Sequence, residues 1–120
     1  LSAGLVALPL AAHADVSGEV STAAQHAGFS AKSTSLLGAH THLHHTLNCL
    51  VGPHGHGFDS KAADPCMGMG NGAIPDAANA HAKRTLERIA ARTRSALKSH
   101  SLKTTQKDAS RIQAELDKVK

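Results

Sequence analysis

The leucine repeat between residues 36 and 50 is the feature that most limits how this chain can fold. Apolar and histidine side chains recur there in alternating steps of four and three residues: Leu36, His40, Leu43, Leu47 and Leu50. This spacing aligns them on one face of an α-helix, and that face must pack against another helix to leave water. Gly52-Pro53 follows, and proline cannot continue a helix. The pattern predicts a helix over residues 30–51 with one buried face.

Three further segments have a helical period. Residues 15–28 carry a modest apolar face of valines and alanines, and Gly28 offers a C-cap or a turn, so whether the helix breaks there stays open. Asp76 is a candidate N-cap for a helix over residues 77–98. A last helix is expected from Thr104 or Thr105 to Val119, with apolar residues again in steps of three and four.

These segments predict an all-α fold. No segment shows the alternation of apolar and polar residues that is typical of a strand. We expect residues 15–120 to form a single domain, an antiparallel four-helix bundle made of two helical hairpins. Residues 52–75 are rich in glycine and proline and predict a long ordered loop tied by a disulfide. Loops of this length in compact domains are commonly functional or disordered.

Residues 1–14 have the composition of the latter part of a signal peptide. The first ten residues are uncharged and mostly apolar, and Ala12-His13-Ala14 supplies the small residues of a cleavage site. A short buried helix is the alternative, which Pro9 disfavours. The apolar run is too short to span a bilayer. We therefore expect a mature protein that begins at Asp15, is periplasmic or secreted, and has no stable membrane span.

Export bears on the two cysteines of the chain, Cys49 and Cys66. An oxidising compartment favours a disulfide between them. This bond would tie the loop to the preceding helix and stabilise the fold by about 3 kcal/mol. A pair of thiolate metal ligands is the alternative, and it would need reducing conditions or protection by a bound metal.

Four histidines lie within six residues, over residues 40–45. His40 and His44 are four residues apart, so they lie on one side of the helix and can chelate one ion through their ring nitrogens. His42 and His45 lie on another flank. Imidazole is a preferred ligand of copper, zinc and nickel. We expect a metal site made by some of these four histidines, with His40 and His44 as the first candidates.

A further histidine, His26, lies before the cluster. It is too far along one continuous helix to share an ion with residues 40–45, although a reversal of the chain at Gly28 would close the distance. The alternative for every one of these histidines is a hydrogen-bonded core residue or a solvated surface residue.

The loop contains further potential ligands. His54 and His56 are separated by one residue, as are Met67 and Met69. Thioether sulfur prefers soft ions, above all Cu(I), so the two methionines favour copper over zinc or nickel. Anchoring of the loop on the helices is the alternative role of Met67 and Met69.

Other function classes receive less support. The chain has no Trp or Tyr, and its formal charge of +4 is mild, so we expect no nucleic-acid partner. The H-E-x-x-H, G-x-S-x-G and P-loop motifs are absent, and we expect no enzyme. Two alternatives stay open: a helical bundle that binds haem non-covalently, because C-x-x-C-H is absent, and a structural or partner-binding module. A homodimer also stays open.

With its signal-like segment, its alanine- and histidine-rich helices and its histidines on helix faces, the chain resembles small periplasmic metal-binding helical proteins that sequester copper. The resemblance implies an exported copper-binding bundle. Such proteins distribute histidines along every helix, whereas here they concentrate in residues 38–45 and the following loop. This departure favours one defined site over the storage of many ions. We therefore expect transition-metal binding, copper first, for buffering, delivery or sensing.

Overall fold

The structure is a computed structural model that describes residue 4 and residues 14–119. These residues form five α-helices and no strand: α1 (Val16–Lys32), α2 (Leu36–Val51), α3 (Ala73–Asp76), α4 (Ala80–Ala96) and α5 (Leu102–Val119). The prediction of an all-α fold is confirmed. Apart from Gly4 and Ala14, the predicted signal segment lies outside the described residues. In the described part, none of the helices has the length and apolar character needed to cross a membrane.

Short polar side chains fix where the first two helices begin. The Asp15 carboxylate accepts a hydrogen bond from the Gly18 amide at 2.8 Å, and the Ser35 hydroxyl accepts one from the Gly38 amide at 3.0 Å. Each bond satisfies an amide that the first helical turn leaves free. α1 runs through Gly28, and the chain turns at residues 33–35 instead. The helix predicted over residues 30–51 is therefore the end of α1, a turn and α2.

The later helices also begin at residues other than those predicted. Asp76 does not cap the long helix, because it ends α3 and its carboxylate binds the loop before α3. Asn79 caps α4 by accepting a hydrogen bond from the Ala82 amide at 2.9 Å. α5 begins just after Ser101, whose hydroxyl accepts from the Thr104 amide at 3.2 Å. Aspartate and asparagine are comparable caps, so sequence alone does not choose between them.

The predicted apolar faces meet in one core. α1 packs against both α2 and α5, and α4 packs against α5. The largest buried apolar side chains lie at the predicted helical positions: Val20, Leu43, Leu47, Leu50, Leu86, Ile89, Ile112 and Leu116. The helical periodicity is thus confirmed. The antiparallel pairing into two hairpins stays a prediction.

A disulfide and one buried amide fasten the long loop to α2. Cys49 and Cys66 are bonded, so neither is a thiolate ligand. The buried Asn48 side chain donates to the carbonyl oxygens of Asp59 and Ala63 at 3.0 and 3.1 Å and accepts from the Asp59 amide at 2.8 Å. These part-buried bonds anchor the loop backbone at Asp59 and Ala63 to α2.

Removal of the disulfide should destabilise the protein. In Cys49→Ala/Cys66→Ala the free energy of unfolding should fall by about 3 kcal/mol, because the unfolded chain regains the freedom of the closed loop. Urea denaturation followed by circular dichroism measures the change. Under oxidising conditions, equal denaturation midpoints for the variant and the unaltered protein would contradict this expectation.

Glu19 is a fully buried carboxyl group near the start of α1. Its Oε1 accepts a hydrogen bond from the Gly72 amide at 3.0 Å, whereas Oε2 has no partner among the described residues. Burial raises the pKa of Glu19 to about 7 against the opposing effect of the Gly72 bond, and the charges of Asp76, Asp15 and Asp64 also raise it. The folded protein therefore holds this proton more tightly than the unfolded chain.

Glu19 should make the protein less stable as the pH rises. The contribution of protonated Glu19 to the free energy of unfolding is fully present below pH 4.5 and is lost as the pH rises through about 7. The free energy of unfolding should fall by about 3 kcal/mol over this range. The Glu19→Gln variant has no carboxyl group to ionise at this position. Its free energy of unfolding, relative to that of the unaltered protein, should therefore rise by this amount when the pH is raised by about four units from 4.5. Glu87→Gln, at an exposed position, is the matched control. A Glu19→Gln difference that is equal at both pH values would overturn the assignment.

Candidate metal centre

The turn at residues 33–35 places α2 beside α1, so that three histidines meet. The Nδ1 atom of His26, in α1, lies 3.2 Å from Nδ1 of His42 and 3.2 Å from Nδ1 of His45, both in α2. One ligand atom of each residue lies within 4.8 Å of those of the other two. The three side chains are half-buried. We call these residues the three-histidine cluster.

Two buried hydroxyl groups hold α1 and α2 together around the cluster. Ser30 in α1 donates to the Ala39 carbonyl oxygen at 2.8 Å, and Thr46 in α2 donates to the Ala23 carbonyl oxygen at 3.1 Å. Both alanines are fully buried, and their small side chains allow the helices to approach closely. His26 lies between Ala23 and Ser30 along α1. The two bonds therefore bracket the cluster and fix which residues of α2 it meets.

Phe29 provides an apolar neighbour to the cluster. Its ring centroid lies 5.3 Å from that of His26 and 5.3 Å from that of His42, in edge-to-face arrangements. Such aromatic contacts stabilise a defined ring orientation. The ring covers part of both imidazoles and so contributes to their burial.

The environment of the cluster favours neutral imidazole rings. Burial lowers the pKa of His26 to about 4, and repulsion from His45 and then His42 lowers it as well. Burial also lowers the pKa of His45, followed by repulsion from His42 and His44. Free-base imidazole is the form that binds metal ions. The cluster is therefore ready to bind an ion without first losing protons from these two rings at neutral pH.

The two nitrogen spacings at His26 are compatible with a bound ion, whereas a hydrogen-bond network can use only one of them. Each Nδ1 atom carries either one hydrogen or one lone pair. The Nδ1 atom of His26 can therefore form a well-directed hydrogen bond with His42 or with His45, and not with both. A tetrahedral ion with nitrogen ligands at ~2.0–2.1 Å separates those ligands by about 3.3 Å. Both distances of 3.2 Å at His26 match this separation. An ion held by these three residues would keep a fourth position for water or another ligand.

His26 is not among the predicted ligands. A reversal of the chain at Gly28 would have brought it to the cluster, but the turn lies at Ser33-Thr34-Ser35. Serine and threonine compete with the helix for hydrogen bonds and favour caps and turns, so three in succession were the available signal. With the turn placed there, His26 comes into reach of α2. His42 and His45, which were predicted ligands, join it.

The structure places the other predicted pair differently. Neither His40 nor His44 belongs to a group of three close ligand atoms among residues 14–119. Nδ1 of His44 lies 3.4 Å from a carboxylate oxygen of Asp59, without the geometry of a hydrogen bond. Nε2 of His40 is buried and has no hydrogen-bond partner among those residues. Binding of one ion by His40 and His44 stays a prediction.

The predicted loop ligands lie in different surroundings. His54 and His56 are exposed and line a cavity beside α4. Met67 is 81% exposed. Met69 packs against the core, and its sulfur lies 3.9 Å from the Thr22 hydroxyl. Met69 therefore holds the loop against α1.

A second group of close ligand atoms contains Cys49, Asp64 and Cys66. The two sulfur atoms are bonded to each other, so they do not offer thiolates. Oδ1 of Asp64 accepts a hydrogen bond from the Cys66 amide at 3.0 Å, which is a turn contact. This group is structural, which leaves the three-histidine cluster as the candidate metal centre of the described residues.

Known proteins add no information about this cluster. Comparison with protein-family models, with curated proteins and with solved structures found no match for the chain. The resemblance to periplasmic copper-binding proteins therefore stays a prediction. The function of the protein is therefore inferred from the geometry of His26, His42 and His45.

The pKa of His26 gives a direct test of the cluster without metal. NMR titration of chelator-treated protein should place it near 4, and in His42→Ala/His45→Ala it should rise toward 6.5, because both burial and repulsion decrease. His26 stabilises the fold fully above pH 6.5, and this contribution is lost as the pH falls through about 4. His81→Ala, on the exposed face of α4, should leave the His26 titration unchanged. A value near 6.5 in the unaltered protein would show that the rings do not converge.

Proposed function

We propose that the protein binds one transition-metal ion through His26, His42 and His45. The observation that supports this function is the convergence of their ring nitrogens, with Nδ1 of His26 3.2 Å from both neighbours. The lowered pKa of His26 favours the ligating form of the ring. A bound ion would join α1 to α2 and would therefore stabilise the folded protein.

We propose copper as the ion, bound as Cu(II). Among divalent ions, the affinity of nitrogen ligands rises to Cu(II) and falls again at zinc. The argument from Met67 and Met69 for Cu(I) does not extend to the cluster, since one methionine is exposed and the sulfur of the other contacts Thr22. The preference for copper therefore depends on the order of imidazole affinities alone. Zinc and nickel are the competitors, and the tetrahedral nitrogen spacing suits zinc.

We further propose an exported protein that buffers or delivers the ion and does not catalyse a reaction. The Cys49–Cys66 disulfide supports export, because such bonds persist in oxidising compartments. An open fourth ligand position would leave room for a ligand from another carrier during transfer of the ion. An antiparallel bundle is the scaffold that we propose.

Calorimetric titration with Cu(II), Zn(II) and Ni(II) tests the proposal. We expect one ion per chain, with Cu(II) bound most tightly. His26→Ala should weaken binding by more than about 100-fold, because loss of a group that merely orients a ligand already costs 10–100-fold. The same variant should abolish the rise in melting temperature that an ion produces by binding only the folded state.

Two controls locate the ion. His81→Ala removes an exposed histidine of α4 and should leave affinity and stoichiometry unchanged. His40→Ala/His44→Ala should also retain the tight site. The proposal fails if His26→Ala binds Cu(II) as tightly as the unaltered protein, and loss of binding in His40→Ala/His44→Ala alone would move the site to that pair.

Haem is the competing ligand for inward-facing histidines. Two axial ligands of a haem lie on opposite sides of the porphyrin, whereas the nitrogens of this cluster lie at hydrogen-bond distance with no space for a porphyrin between them. Addition of haemin should therefore produce no Soret band that depends on His26. Such a band, lost in His26→Ala, would favour the haem function.

A further inference from the structure

A cavity of about 570 Å³ lies between the loop after α2, the short helix α3 and one face of α4. Cavities of this size are typical of sites for small organic molecules. None of the residues of the three-histidine cluster lines it. A function for this cavity would therefore be additional to metal binding and independent of it.

The floor of the cavity is apolar. Val51 and Ala90 are buried, and Ile74 packs against the core from α3. Water next to such a surface finds few hydrogen-bond partners, so its displacement by an apolar group is favourable. The floor therefore suits the hydrocarbon part of a ligand.

The rim of the cavity carries cationic groups without anionic partners. Lys83 and Arg94 both line it, and neither forms an ion pair with any residue in the described part of the chain. A side chain at Gly57 would come within 3.3 Å of Cδ of Arg94, so this glycine leaves room for the arginine stem. Glycine also accepts the positive φ of 91° there. Arg94 is thus a half-buried residue at the rim, and its guanidinium has no ion-pair partner among residues 14–119.

The charged residues of α4 make the two ends of the cavity electrostatically different. Glu87 also lines it and follows Lys83 by one helical turn, so it offsets the charge at that end. Arg94 lies two turns further on, about 10 Å along the helix axis. His54 and His56, from the loop, also face the cavity. An anionic group is therefore favoured at the Arg94 end and disfavoured beside Glu87.

We propose that this cavity binds a small molecule with an apolar body and one carboxylate group. The Arg94 guanidinium donates two parallel hydrogen bonds to the carboxylate. Arginine is better suited than lysine to this bidentate geometry. The imidazole N–H groups of His54 and His56 supply further donors. The apolar body lies on Val51, Ile74 and Ala90. In this proposal, His54 and His56 bind the carboxylate of the small molecule and do not bind a metal ion.

Titration with a series of straight-chain carboxylates tests the proposal, with chelator present to keep metal from binding the carboxylate. Acetate, butanoate and octanoate, followed by NMR shifts of the cavity residues, should bind with affinity that rises up to about fourfold per added methylene. Octan-1-ol should bind about tenfold or more weakly than octanoate, because it lacks the charge that Arg94 pairs. Equal affinity for the alcohol and the acid, or no saturable octanoate binding, would overturn the proposal.

Variants assign the effect to the cavity. Arg94→Gln should weaken octanoate binding at least about tenfold and acetate binding similarly, whereas Ile74→Ala should weaken octanoate only. Arg84→Gln removes the same charge from α4 at an exposed position that does not line this cavity, and should have no effect. Equal losses in Arg94→Gln and Arg84→Gln would show attraction by net charge alone and would refute the site. His26→Ala should bind octanoate normally, which separates this proposal from the metal proposal.

Discussion

The close contact between α1 and α2 is the constraint on which the candidate site depends. Buried Ser30 and Thr46 each donate to a carbonyl oxygen of the other helix, and both acceptors belong to fully buried alanines. A shift of one helix along the other would leave the buried Ser30 hydroxyl unpaired, which is costly. It would leave the Thr46 hydroxyl only the carbonyl oxygen of His42, 3.2 Å away in its own helix. The register is therefore fixed by polar contacts, and the position of His26 opposite α2 follows from it.

α2 combines three tasks within ten residues. His42 and His45 face α1, and one turn later Asn48 and Cys49 hold the loop. Val51, at the end of the helix, forms part of the cavity floor. Because the three tasks use different residues along the same helix, the metal centre and the cavity share a support without sharing residues.

The sequence predicted well what depends on local periodicity. The steps of three and four residues identified Leu43, Leu47 and Leu50 as core residues, and the cysteine pair identified the disulfide. It predicted poorly what depends on the position of a turn. Caps are short and interchangeable, so moving the turn from Gly28 to residues 33–35 changed which histidines meet. The raised pKa of Glu19 depends first on burial and then on the charge of Asp76, far away in the chain, and no local pattern reports such contacts.

The amide of Asp15 donates to the carbonyl oxygen of Met69 at 2.7 Å, and a side chain at Gly70 would touch Glu19, Asp76 and Ala14 together. The loop thus approaches the first turn of α1 closely at Gly70, where any added side chain would meet a carboxylate. Protonation of Glu19 therefore matters to the loop as well as to α1, because an ionised Glu19 would repel Asp76 across this contact. The buried acid acts as a proton-dependent link between the start of the helical fold and the segment that precedes α3.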